Sequence, residues 1–204
     1  MEAPEFIEFP KIPRLSREII ITEKIDGTPT CIHVADNGEI FVGSRTKWIT
    51  VNDDHFGFAA WVEKNKRQLL QFGPGLYRGE FWGSKIQRGY DCPKGERHWS
   101  LFDAERWCQP GQELQKRYTL DPRVEVWQEY PPVCCEIVPV LYHGPFLTTM
   151  VDLAIETLRK EGSRAAPRYR NPEGVVVYHV AGGISFKKTL MDDDRPKSWI
   201  GRSM

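Results

Sequence analysis

The chain has 204 residues, 40% hydrophobic and 12% aromatic, enough for one globular domain with a sizeable core. Its 28 Lys/Arg balance 28 Asp/Glu, so no overall basic excess points to a nucleic-acid partner. No basic leader with an apolar h-region opens the chain and no apolar run is long enough to cross a bilayer, which predicts an unexported, cytoplasmic protein without membrane contact. The neutral total hides an asymmetry: residues 159–204 hold ten Lys/Arg against five Asp/Glu, leaving +5 there and −5 in the remainder. Five cysteines (Cys31, Cys92, Cys108, Cys134, Cys135), odd in number and without a CxxC pair, argue against a disulfide framework and against a structural zinc. The five histidines are scattered without zinc-ligand spacing, and no GxxxxGK[ST] phosphate loop is present.

In chain order, the β-branched run Glu18 to Thr22 reads as a strand, and Asp26-Gly27 reads as a turn, which places Lys24 where a buried strand emerges. Thr30 to Val34 and Glu39 to Gly43 flank Asn37-Gly38 and predict a hairpin. Asp53 or Asp54 caps a helix carrying Phe56, Ala59, Ala60, Glu63, Leu69 and Leu70, which stops before Gly73-Pro74-Gly75. Strands follow at Leu76 to Trp82, Trp99 to Asp103, Val124 to Glu129 and Val133 to Leu141, with surface loops at Tyr90 to Glu96 and Gln109 to Arg117. Cys134-Cys135 falls in the last of these strands and reads as buried strand in preference to a redox pair. Thr148 or Thr149 opens a second helix with Val151, Ile155 and Leu158 at helical spacing, ending near Gly162. Two last strands, Gly174 to Val180 and Ile184 to Lys188, flank Ala181-Gly182-Gly183. Strands outnumber helices and short turns join many of them, so the expectation is an α+β domain of largely antiparallel sheets with helices outside.

Lys24-Ile25-Asp26-Gly27 is the segment with the most chemical content. A lysine followed two residues later by Asp-Gly occurs by chance about once in twenty chains of this length, so alone it says little. Other segments follow it in order: Gly43-Ser44-Arg45, Tyr77-Arg78-Gly79-Glu80, Ser100-Leu101-Phe102-Asp103, Pro172-Glu173-Gly174-Val175-Val176-Val177 and Ser185-Phe186-Lys187-Lys188. Taken together, over about Phe9 to Lys188, they resemble the ordered motifs of the covalent nucleotidyltransferases, which include DNA ligases, RNA ligases and mRNA-capping guanylyltransferases. Glu23-Lys24-Ile25-Asp26-Gly27-Thr28 and Val138 to Phe146 are most similar to RNA ligases.

The resemblance implies a ligase adenylation fold and an ATP-dependent RNA ligase working with Mg²⁺ or Mn²⁺ on nucleic-acid ends in repair or end joining. RNA ends are favoured, with DNA or hybrid ends possible. Lys24 would form lysyl-AMP, pass AMP to a 5′-phosphate and let a 3′-hydroxyl displace it. A lysine attacks phosphorus only as the neutral amine, and an unperturbed lysine is protonated at pH 7, so nearby cations such as Lys187, Lys188 and the metal are expected to favour the neutral form. The same resemblance gives Arg45 to ribose or phosphate, Phe102 to stacking on adenine, Glu80 to ribose or metal, Glu173 to metal and Glu23 to the adenine edge. Taken singly, these residues read otherwise: Glu80 and Glu173 as solvated turn acids, Arg45 as a surface arginine, Phe102 as core and Glu23 as a partner for a neighbouring lysine.

Two departures from the family pattern matter. Lys187 and Lys188 are adjacent where the pattern separates two lysines by one residue; strand alternation lets only one face the nucleotide, and Lys187 is preferred, with Lys197 as another candidate. Pro29 stands where some RNA ligases have Asn. The expected organisation is one nucleotidyltransferase domain over residues 1–204, with its core at about 9–190, a short tail at 191–204 on which Trp199 docks back, and no C-terminal OB-fold. Open alternatives are a DNA ligase, a GTP-using nucleotidyltransferase, or an end-binding module that adenylylates but needs a partner to seal.

Overall fold

The computed structural model describes residues 5–107, 131–191 and 193. The strand expected at Val124 to Glu129, the loop at Gln109 to Arg117, Cys108, Lys197 and Trp199 lie outside these residues. Two largely antiparallel sheets carry the fold, and each has a helix on its outer face. The six-stranded sheet runs β4-β3-β2-β5-β6-β7 and the four-stranded sheet β10-β9-β1-β8.

In the smaller sheet β1 (Glu18–Lys24) lies between β8 (Val140–Pro145) and β9 (Gly174–His179), with β10 (Ile184–Thr189) at the edge beyond β9. A strand flanked on both sides and covered on both faces needs apolar residues at consecutive positions, which is why Ile19, Ile20 and Ile21 run without alternation and all are buried. Ile19 and Ile21 meet Ala154, Ile155 and Leu158 of α3 (Thr148–Glu161), along with Val175 and Val177 of β9. Ile20, Thr22 and Lys24 alternate to the opposite face, which looks into a cleft.

In the larger sheet β2 (Thr28–Val34) pairs with β3 (Ile40–Gly43) through a turn in which Gly38 takes φ 78° and the Asn37 side chain accepts the Glu39 N–H at 2.9 Å. β3 pairs in turn with β4 (Trp48–Ile49) at the sheet edge. Helix α1 (Phe58–Leu69) packs Phe58, Ala59, Val62 and Leu69 on Ile32, Phe81 and Trp99 of this sheet. Asp54 caps it from outside the N-cap position, its carboxylate accepting from Ala59 N at 2.8 Å and Ala60 N at 3.0 Å. The helix therefore starts later than Phe56, which instead takes φ 54° in the entry turn.

β5 (Gly75–Gly83) and β6 (Arg97–Leu101) occur close to where the sequence places them, and the short helix α2 (Ala104–Trp107) follows β6. The segment expected to form one strand from Val133 to Leu141 divides in two. β7 (Glu136–Ile137) pairs in parallel with β6 in the larger sheet, and after Val138-Pro139 the chain joins β1 of the smaller sheet as β8. Proline has no N–H for a ladder, so the change of sheet falls at Pro139, whose carbonyl instead accepts the Glu23 N–H at 2.8 Å. Cys134 and Cys135 precede β7 in a turn, not a strand, with their sulfurs 3.8 Å apart. The loop expected over Tyr90 to Glu96 lies at the surface from Asp91 to Glu96, with Cys92 half-buried, and is anchored at its start by Tyr90, buried beside Trp82, Ile25 and Val138.

Candidate active site

Only Ile25, Asp26 and Gly27 separate the last residue of β1 from the first of β2, so the chain passes from one sheet to the other within a single turn at Lys24. Each residue of that turn is fixed. Ile25 is buried, the Asp26 N–H donates to Tyr90 Oη at 2.7 Å, and the Gly27 N–H donates to Glu80 Oε1 at 3.0 Å. The Asp26 carboxylate accepts from Arg88 Nε at 2.9 Å, and the same guanidinium reaches the Asn171 carbonyl at 2.9 Å. Gly27 must lack a side chain, because a Cβ there would press into the Phe81 carbonyl and sit 2.8 Å from Trp82 Cβ.

Register brings the first carboxylate to Lys24. The lysine pairs with Gly174 across β1 and β9, so Glu173, immediately before β9, lies beside it and accepts from Lys24 Nζ at 2.6 Å. The lysine side chain keeps 24% exposure, whereas that of Glu173 keeps 2%. The second carboxylate comes from the facing sheet. Glu80 is 8% exposed, and burial pushes its carboxyl up from 4.5 to about 7, partly offset by Lys24 and by the Gly27 N–H. A carboxylate on each side of one amine is thus held by main-chain register in one case and by a main-chain hydrogen bond in the other.

Between the sheets lies a cleft of about 660 Å³, lined by Lys24, Glu80, Arg78, Phe102, Arg106, Val138, Tyr178 and Ser185 among others. That volume suits a nucleotide-sized ligand. Phe102 is 43% exposed at the end of β6, where a large apolar ring belongs only if something covers it, and in this cleft it presents an aromatic face to an occupant. Arg78 and Arg106 supply positive charge on the same wall, suited to phosphate oxygens.

The other candidates separate by strand face. Ser185 of β10 lines the cleft, and Lys187, two residues on, shares its face. Lys188 is turned to the opposite side, where Nζ donates to Asp152 of α3 at 2.8 Å. Glu23 is likewise turned from the cleft: its carboxylate accepts from Ser163 Oγ at 2.6 Å, Arg164 N at 2.6 Å and Ala165 N at 3.0 Å, tying the loop after α3 to β1. With that carboxylate engaged, what Glu23 contributes to the cleft is main chain. Arg45 is exposed in the turn between β3 and β4 and is not among the described residues that line the cleft.

Sequence reasoning missed Tyr90, Arg88, Tyr178 and Arg106. Tyr90 sits in a one-turn 3₁₀ segment (Gly89–Asp91) with φ 52°, and nothing local in Gly-Tyr-Asp signals that its phenol reaches a main-chain amide 64 residues away. Arg88 does carry a signal, because Asp26 needs a cation if buried, but the choice among 28 basic residues is not local.

A family model for RNA ligase matches residues 17–189. Comparison with curated proteins gives no match. Among solved structures, a Naegleria gruberi RNA ligase variant with ATP and Mn superposes with a TM-score of 0.54 at 18% identity, covering 86% of this chain and 50% of that one. A second variant of the same ligase with AMP and Mn gives 0.53 at 18% identity, covering 86% and 50%. The same ligase with pyrophosphate gives 0.52 at 16% identity, covering 92% and 57%. The chain therefore spans about half the length of these structures, and at such identity the likeness establishes the nucleotidyltransferase fold. With the family model covering the whole stretch from β1 to β10, the chain belongs to the RNA ligase family.

Proposed function

We propose that this chain catalyses adenylyl transfer in ATP-dependent RNA ligation, with Lys24 as the nucleophile. The observation that carries the reading is the placement of Lys24 Nζ in the cleft, 2.6 Å from Glu173 Oε2, on a turn whose last amide binds the Glu80 carboxylate. Lys24 Nζ attacks the α-phosphorus of ATP, the P–N bond forms as the bond to pyrophosphate breaks, and Glu173 Oε2 is placed to take the proton. Phe102 stacks on the base, and Arg78, Arg106 and Lys187 take phosphate charge, with Lys187 preferred over Lys188 for the α-phosphate. Arg45 takes ribose or phosphate once the nucleotide bridges the cleft, and Glu23 positions the base edge through its main chain.

Glu80 lines the cleft and Glu173 meets it at Lys24 Nζ; both are buried hard oxygen donors, a set that fits Mg²⁺ or Mn²⁺. Glu173 and Glu80 would hold the ion, which neutralises phosphate charge when bound. A 5′-phosphate oxygen of an RNA end then attacks the lysyl-AMP phosphorus, releasing the lysine, and a 3′-hydroxyl attacks the adenylylated end, releasing AMP. A cytoplasmic setting accords with the free thiols of Cys31, Cys92, Cys134 and Cys135. Among the described residues no helix is long and apolar enough to cross a membrane.

The test is incubation with α-labelled ATP or GTP and Mg²⁺ or Mn²⁺, after stripping with pyrophosphate. A label from ATP that survives denaturing electrophoresis, disappears in Lys24→Ala and is removed by pyrophosphate is expected. Absence of label with every metal and nucleotide would overturn the reading. Sealing of nicked RNA, DNA and hybrid duplexes then identifies the acceptor, with RNA expected to be joined fastest.

A further inference from the structure

Away from the cleft, the crossing from β5 to β6 brings together three side chains that the sequence does not mark as a group. Cys92-Pro93-Lys94-Gly95-Glu96 forms a tight turn closed by the Glu96 N–H on the Pro93 carbonyl at 3.0 Å, with Gly95 at φ 87°. The turn sets Cys92 and Glu96 beside His98, the second residue of β6, and their ligand atoms all lie within 4.8 Å of one another. A tetrahedral zinc with bond lengths of about 2.0–2.3 Å requires ligand separations near 3.5 Å, a value between the 2.9 Å of the Glu96–His98 pair and the 4.8 Å within which all three ligand atoms lie.

A second observation points to a metal ligand. The His98 ring is oriented on two sides: it stacks on Trp82 at 4.5 Å between ring centres, and its Nδ1 lies 2.8 Å from Glu136 Oε1. Its Nε2, aimed into the cluster, lies 2.9 Å from Glu96 Oε1. A carboxylate on the outer nitrogen is the arrangement that fixes the tautomer of a metal-bound imidazole and raises its basicity. Glu136 is positioned by the parallel pairing of β7 with β6, and its other oxygen accepts from Ser100 Oγ at 3.4 Å. The Cys92 thiol has only a weak contact with the Tyr90 carbonyl, at 3.8 Å.

We propose that Cys92 Sγ, Glu96 carboxylate and His98 Nε2 bind a zinc ion, with Glu136 orienting His98 through Nδ1 and water completing the tetrahedron. One thiolate, one imidazole and one carboxylate form a borderline-soft set that selects zinc over magnesium. The ion is distinct from any that Glu173 and Glu80 hold. Its structural effect is specific: the clipped segment begins two residues after Tyr90 and four after Arg88, which hold Asp26 beside the nucleophile, so zinc at Cys92 anchors the end of that support without entering the cleft.

The test is Co²⁺ titration of the full chain, stripped by a chelator and kept reduced with a phosphine. A near-ultraviolet sulfur-to-cobalt band with intense visible bands is expected at one equivalent, displaced by one equivalent of Zn²⁺. Cys92→Ser should abolish the sulfur band, and Glu136→Gln should weaken binding by about 10–100-fold. Because His98 packs on Trp82 and its loss could disturb folding, Glu96→Gln at the exposed corner is the control for ligand loss, expected to weaken binding with circular dichroism unchanged. No sulfur band in the wild type, or a band that persists in Cys92→Ser and vanishes when Cys134 and Cys135 are replaced, would overturn the proposal.

Discussion

Glu80→Gln separates the stability of this fold from its chemistry. The folded carboxyl titrates near 7 and an unfolded one near 4.5, so between these values the folded state holds a proton that the unfolded state has lost. Stability is therefore full below the lower value and falls as pH rises through the upper one. About 2.5 units at 1.36 kcal/mol each gives ~3 kcal/mol, or roughly 6–12 °C in melting temperature for a chain of this size. Glutamine mimics the protonated carboxyl and keeps an oxygen for the Gly27 N–H. Urea unfolding of both proteins in EDTA should give similar stabilities at pH 4.5 and a variant more stable by up to ~3 kcal/mol at pH 8, with adenylylation reduced. Parallel profiles for the two proteins across this range, or a variant less stable at pH 8, would refute the assignment of the strain to this buried carboxyl.

Lys187→Ala should slow single-turnover labelling of Lys24 by at least about tenfold, while Lys188→Ala, which removes only an exposed pair with Asp152, should stay within about twofold. Equal effects would remove the face argument. Phe102→Ala should leave unfolding free energy within about 0.5 kcal/mol but weaken ATP binding by about 1–3 kcal/mol, read by calorimetry. Glu23→Ala leaves the Ser163 hydroxyl and the Arg164 and Ala165 amides without their acceptor, so chemical denaturation should show a loss of about 3 kcal/mol. A loss under about 1 kcal/mol would mean that the loop after α3 does not depend on it.

Local signals carried the strands that bear Lys24 and Glu80 and the strand that Glu173 precedes, because runs such as Ile19-Ile20-Ile21 and turns such as Asn37-Gly38 are decided by burial and backbone geometry within a few residues. Alternation alone separated Lys187 from Lys188. What escaped depends on distant partners. The Glu23 carboxylate bonds residues 140 to 142 positions away, which no local pattern encodes. The division of residues 133–141 between two sheets depends on where β6 and β1 lie in space, although Pro139 marks the break. Cys92, Glu96 and His98 escaped because their grouping is made by a turn onto a strand edge, without the paired-cysteine spacing by which zinc sites are read.

The short passage from β1 to β2 gives the two carboxylates around Lys24 different mechanical roles. Glu173 travels with the sheet that carries the lysine, whereas Glu80 belongs to the opposite one. A relative displacement of the sheets would preserve the Lys24–Glu173 pair and load the Gly27–Glu80 hydrogen bond, the link by which the far wall grips the turn. Widening the cleft to admit a nucleotide is thereby coupled to the charge state of Glu80: burial disfavours the carboxylate by more than the Gly27 amide stabilises it, so ionisation above about pH 7 favours a wider cleft that lets water reach this side chain.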